Sequence, residues 1–181
     1  MNISLDTKDL QRVEKLLAGV PKGVPKALAR ATNEAATKAR TLISRTVRAS
    51  YNVKAKEISS TVTIVRASPS RLSAFLNYRG TKFPLLRFQS GSKLPVTIQE
   101  VKGQRTTIGS AFNIAQYGGN IFVRTSKKRF PLKKLMGLSV PAMVSGQRLN
   151  KQIEDVAQKT FTERAIHAAE VIANDFNKAK S

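Results

Sequence analysis

Apolar residues recur along this chain at two different periods, and the change of period separates helical ends from a β-rich middle. Leu10, Val13, Leu16 and Leu17 share one side of a short helix predicted over Thr7–Leu17, which Gly19, Pro21 and Gly23 bring to a stop. A long helix is predicted from Val24 to about Ala49, because Leu28, Ala31, Ala35, Ala39, Leu42 and Ile43 follow one another at steps of three and four. Pro25 lies in its first turn, where a missing N–H is harmless. Ala27, Ala29, Ala31, Ala35, Ala36 and Ala39 raise its helix propensity and permit close approach of another helix or a sheet. Lys38, Arg40, Arg45 and Arg48 load its C-terminal half with cations, the end that the helix dipole favours. A second long helix is predicted over Gln147–Lys178, with Leu149, Ile153, Val156, Phe161, Ala165, Ala168, Ile172 and Phe176 as its apolar stripe.

Between the long helices the period shortens. Tyr51–Ser59 reads as a turn and one short helical turn, and Ser60–Ala67 as a strand with Val62 and Ile64 on one face. Arg71–Asn77, Pro95–Lys102, Thr106–Ala115 and Asn120–Arg124 are further strand candidates, with Gly103 and the pair Gly118–Gly119 at turns. Residues 78–93 hold Gly80, Pro84 and Gly91 and read as a long loop or partly extended hairpin arm, the segment expected to reach a partner. Leu132–Met136 is assigned a short helix that stops near Gly137, and Pro141 opens the next helical segment. These elements predict an α+β fold in which two long amphipathic helices pack on one face of an antiparallel or mixed β-sheet with an extended loop. All 181 residues are assigned to a single domain: an N-terminal arm over 1–22, a helix over 24–49, a β-rich basic region over 50–146 and a C-terminal helix over 147–178.

Charge changes the picture most. The chain carries 32 Lys and Arg against 11 Asp and Glu, a net +21. Residues 35–153 hold twenty-two of the basic residues and only Glu57 and Glu100, a net +20, so the flanks together are almost neutral. Long cationic side chains are not buried in bulk, so they coat surface, loops or a channel and call for an anionic partner. Two clusters stand out. Lys127, Lys128, Arg129, Lys133 and Lys134 surround Phe130, an arrangement able to track a phosphate backbone with an aromatic contact. Arg66, Arg71, Arg79, Lys82, Arg87 and Lys93 are more dispersed and interleaved with aromatics that include Phe83 and Phe88. Arginine and aromatics also favour protein interfaces, so the mixture does not choose between DNA and protein.

Chemistry is sparse by comparison. There is no cysteine, hence no disulfide, thiolate metal site or thiol nucleophile. His167 is the one histidine, flanked by Glu163 and Glu170 at helical spacing, but that triplet arises easily by chance and the histidine reads as a helix-surface or core-edge imidazole. Glu57 and Glu100 are expected to answer neighbouring lysines such as Lys56 and Lys102. No nucleophile elbow, phosphate loop or dinucleotide fingerprint is present, so no catalytic, cofactor-binding or metal residue is assigned and the protein is read as not an enzyme. Neither a secretory signal nor a membrane span is expected.

Four stretches resemble the prophage minor tail protein Z family, which includes tail completion proteins of long-tailed bacteriophages. They are VPKALARATNEAATKARTLISRTVRASYNVKAKEI (24–58), FPLLRF (83–88), GSAF (109–112) and VRTSKKRFPLKKLMGLSVPAM (123–143). Leu138 departs from the pattern, at a place where the family often carries proline. The resemblance implies a structural virion protein, made in the host cytoplasm and located in the tail. It would act at the head-proximal end in assembly or head–tail joining, as one subunit of a ring for which sixfold symmetry would suit a tail. Implied partners are copies of itself, neighbouring tail or connector proteins, and DNA passing through the channel; no cofactor and no membrane are implied. The reading from a different class is a non-specific nucleic-acid-binding protein that uses the basic β-rich surface.

Overall fold

This computed structural model describes residues 6–91, 94–114, 118–145 and 147–180, without the side chains of 147–150. Lys93, Ala115 and the Leu149 side chain, which figure in the sequence reading, lie outside the described residues. The chain is mixed helix and strand, in keeping with an α+β class, and it divides into two compact units, each built from discontinuous segments.

The first unit comprises residues 1–44, 62–77 and 146–181. Helix α1 covers Thr7–Leu16, and Asp6 caps it by accepting from the Thr7 N–H at 2.7 Å. Helix α2 covers Gly23–Ser50, and α5, the last helix of the chain, covers Gln147–Lys178. Their shared core is Val13, Leu17, Ala27, Ala31, Ala35, Phe161, Ala165, Ala168, Ala169 and Ile172. Six of these ten are alanine, so backbones approach closely and a few large side chains fill the remaining space. Strands β1 (Val62–Val65) and β2 (Phe75–Tyr78) form a two-stranded sheet in the same part of the chain. Just after β1, the Asn33 side chain donates to the Ala67 carbonyl at 3.0 Å and accepts from the Ala67 N–H at 2.8 Å, doing for that residue what a neighbouring strand would do.

The second unit comprises residues 45–61 and 78–145. It contains the end of α2, the short helix α3 (Ala55–Thr61), a 3-10 helix over Leu85–Phe88, five strands and the short helix α4 (Val140–Val144). Strand β3 (Val96–Ile98) pairs antiparallel with β4 (Thr106–Ile108), setting Thr97 opposite Thr107. A three-stranded antiparallel sheet follows in the order β5–β6–β7, from Ala111–Asn113, Ile121–Arg124 and Leu132–Lys134. Val47, Ile58, Leu85, Phe88, Val96, Ile121 and Val140 are buried in this unit.

Three expectations are corrected. The long helices do not lie on one sheet: α2 and α5 share an alanine-lined helix–helix core with α1, and the strands form three small sheets. Leu132–Lys134 is strand, not helix. Five residues between Pro131 and Gly137 are too few to nucleate a helix, and pairing with β6 supplies partners instead. Thr106–Ala115 is two strands rather than one, because a turn at Gly109–Ser110 sends β4 to β3 and β5 to β6.

Of the predicted loop 78–93, the described residues 83–88 are bonded into the second unit rather than projecting as an arm. The Phe83 N–H donates to the Leu138 carbonyl and the Leu85 N–H to the Leu135 carbonyl, while the Gly137 N–H donates back to the Phe83 carbonyl at 2.8 Å. On its far side the Gln99 N–H donates to the Phe88 carbonyl at 2.7 Å. Leu85 and Phe88, at 5% and 3% exposure, anchor it in the second unit's core.

Candidate functional site

The first basic cluster folds into a β-hairpin. Strands β6 and β7 pair with Phe122 opposite Lys134, Val123 opposite Lys133 and Arg124 opposite Leu132. The register with β5 ends at Val123, so past that residue what continues is a two-stranded ribbon. Thr125 closes its neck: the N–H and the hydroxyl both donate to the Pro131 carbonyl, at 3.4 and 3.1 Å. The Lys128 N–H donates to Ser126 Oγ at 3.3 Å within the tip. Lys127, Lys128, Arg129, Lys133 and Lys134 are all exposed, and Phe130 at the tip is 55% exposed with the Arg129 guanidinium 5.7 Å from its ring centre. Residues directly opposite in a ladder share a face. Lys134 therefore lies on the face of Phe122, Arg124 and Phe112, and Lys133 on the opposite face with Val123 and Ala111. Arg124 was missed by the sequence reading, and it lies over the Phe112 ring at 5.1 Å. Recognising the hairpin would have found it, since its cross-strand partner Leu132 sits between Pro131 and Lys133.

The second cluster is not one patch. Arg66 and Arg71 belong to the first unit and flank a tight turn in which Ser68 and Arg71 exchange backbone hydrogen bonds of 2.9 Å; Arg71 also donates to the Arg66 carbonyl at 3.2 Å. Arg79 and Lys82 are exposed in the second unit. Arg87, Phe83 and Phe88 are engaged internally. The Arg87 guanidinium forms an ion pair with Glu57 and lies 4.7 Å from the Phe83 ring centre and 5.7 Å from that of Phe88, and the two rings meet edge to face at 6.1 Å. Burial pushes its pKa down from the ordinary arginine value, yet it is still the charge that Glu57 answers.

Both acids of the basic region are thus committed within the second unit, and not to the lysines beside them. Glu57 pairs with Arg87 and accepts the Lys54 N–H at 2.8 Å, which satisfies the start of α3. Glu100 Oε1 accepts the Leu138 N–H at 2.6 Å, and its backbone carbonyl accepts the Asn52 N–H at 2.9 Å. Glu57→Ala should destabilise the protein by about 2 kcal/mol in urea denaturation, because it strands a half-buried guanidinium and uncaps a helix. Arg87→Met, which fills the same space without a charge, should lose less. Equal losses would show that Glu57 left without Arg87 costs as much as Arg87 left without Glu57, and that the stranded guanidinium is not the larger effect.

Beside this pair, Tyr51, Asn52, Val53, Lys54, Glu57, Arg87 and Lys102 line an open depression of about 510 Å³. His167 is exposed on α5, and among the described residues no group of three His, Asp or Glu side chains is placed to hold a metal ion. No described helix is long and apolar enough to cross a membrane. Comparison with protein-family models, with curated proteins and with solved structures found no match to this chain.

Proposed function

We propose that this chain is a structural, non-enzymatic component of a long-tailed bacteriophage: a minor tail or tail completion protein that works at the head-proximal end of the tail as one subunit of a ring. The observation that carries the reading is the uncompensated charge of the second unit. Its segments hold sixteen Lys and Arg against Glu57 and Glu100, a net +14, and both carboxylates are consumed by internal contacts. Nothing acidic in that unit remains to neutralise its surface, so the matching anions belong to other molecules, and cyclic assembly with neighbouring tail proteins supplies them. The succession of four family-like stretches over 24–143 supports the same assignment.

Particles from the phage or prophage that encodes this chain should contain it, and labelled particles should carry the label where tail meets head. Complete, infectious particles that lack the chain would overturn the proposal.

A further inference from the structure

We infer that the β6–β7 hairpin is a duplex-binding ribbon, which enters a groove of double-stranded nucleic acid and holds the phosphates on both of its walls. Six cations, Arg124, Lys127, Lys128, Arg129, Lys133 and Lys134, are exposed on an element of fourteen residues, 121–134. No Asp or Glu occurs anywhere between Glu100 and Glu154, so the ribbon is free of acids in sequence over a wide margin.

Lysines on an edge strand have an ordinary use, which is to discourage a further strand from pairing. That accounts for Lys133 and Lys134 on β7, an edge of its sheet. It does not account for Lys127, Lys128 and Arg129, which lie beyond the last paired residues, where there is no ladder to protect.

The placement of the charges separates the classes of partner. Lys133 and Lys134 stand where β5 still flanks β6, whereas Arg124, Lys127, Lys128 and Arg129 lie on or beyond the last pair, where only two strands continue. A flat acidic protein surface would meet this narrow projection, with its four cations and no acid, only at its end. A duplex groove presents phosphates on both walls at once. Strands lie about 4.8 Å apart, so a two-stranded ribbon with its side chains fits a major groove about 12 Å wide. Phe130, exposed in the same turn, gives the ribbon an apolar surface beside these cations. Contacts of this kind fix position without reading sequence. The inference concerns the isolated protein and does not depend on the tail assignment.

The test is a titration of a labelled duplex of mixed sequence, about two helical turns long, over a series of salt concentrations. A single strand of the same length and polyglutamate are titrated alongside. The native protein should bind the duplex more tightly than either. The triple variant Lys127→Gln/Lys128→Gln/Arg129→Gln should make the log K against log salt slope shallower by about 2.7, which corresponds to three phosphate contacts. A control triple, Lys54→Gln/Lys56→Gln/Lys102→Gln, removes the same charge from elsewhere in the second unit and should move the slope by less than about one. All six side chains are exposed, and circular dichroism should confirm that both variants keep the native fold. Absence of duplex binding, equal effects of the two triples, a single strand bound as tightly as the duplex, or a hairpin-dependent preference for polyglutamate would each overturn the inference. Duplex binding by a chain that is missing from particles would leave it intact and remove the tail assignment instead.

Discussion

Gly137→Ala should lower the stability of the protein by about 3 kcal/mol, read as a fall in the urea midpoint with an unchanged slope. The position needs glycine for space rather than for a left-handed backbone. A Cβ there would overlap Glu100 Oε1 and lie 3.0 Å from Phe88 Cε2. The carboxylate has little room to yield, because the same oxygen accepts the Leu138 N–H at 2.6 Å. Phe88 has little room either, being 3% exposed in the core. Glu100→Ala alone should lose about 1–2 kcal/mol by leaving the Leu138 N–H without its acceptor. In that background only the approach to Phe88 remains, and Gly137→Ala should then cost at least about 1 kcal/mol less than it does beside Glu100. Gly109→Ala is the control: nothing lies within 4 Å of its Cβ position, so the change should be nearly neutral. Additive losses in the double variant would show that Glu100 does not set the requirement for glycine.

The same residues show what the sequence could and could not convey. Helix limits were legible because their signals are local: Gly19 after Leu17 and Pro25 in the first turn of α2 both act within a few residues of themselves. Strand existence in the middle was legible from alternation, and β1, β2, β3 and β6 each fall within or beside a predicted segment. Pairing was not. Whether Leu132–Lys134 becomes helix or strand is settled by residues 122–124, and whether Thr106–Asn113 stays in one strand is settled by which sheet each half joins. The fate of the two acids was hidden for the same reason. Glu57 finds Arg87 thirty residues away and Glu100 finds Leu138 thirty-eight away, so neither partner could be read from the adjacent lysines. The sequence reading grouped Arg66 to Phe88 by proximity along the chain, whereas the fold divides them between two units and turns Arg87, Phe83 and Phe88 inward. The compact run at 127–134 stayed together because a hairpin keeps sequence neighbours adjacent in space.

The alanines of the first unit carry the other large effect. Ala165 on α5 is wholly buried in a cluster with Val13 of α1, Leu17 just after it, and Ala27, Ala31 and Ala35 of α2. Where alanine faces alanine, the distance between helices is set by backbone contact rather than by interlocking side chains. Ala165→Leu adds three carbons at a point with no free volume, so the helices must move apart or the leucine must leave its rotamer. The expected loss is about 2–4 kcal/mol in denaturation followed by helical circular dichroism. Ala173, partly buried at the margin of the same cluster, has an outlet to solvent, and Ala173→Leu should lose less than about 1 kcal/mol or even gain from the extra apolar area. Val156 adds a comparison from the same helix: it fits the predicted apolar stripe yet is 37% exposed, and Val156→Ala should fall within about 0.5 kcal/mol of neutral. Equal tolerance at 165 and 173 would mean that close helix approach is not what holds this unit together. A steep difference between them would locate its stability in the small-residue seam that the apolar periodicity marked and the alanines made narrow.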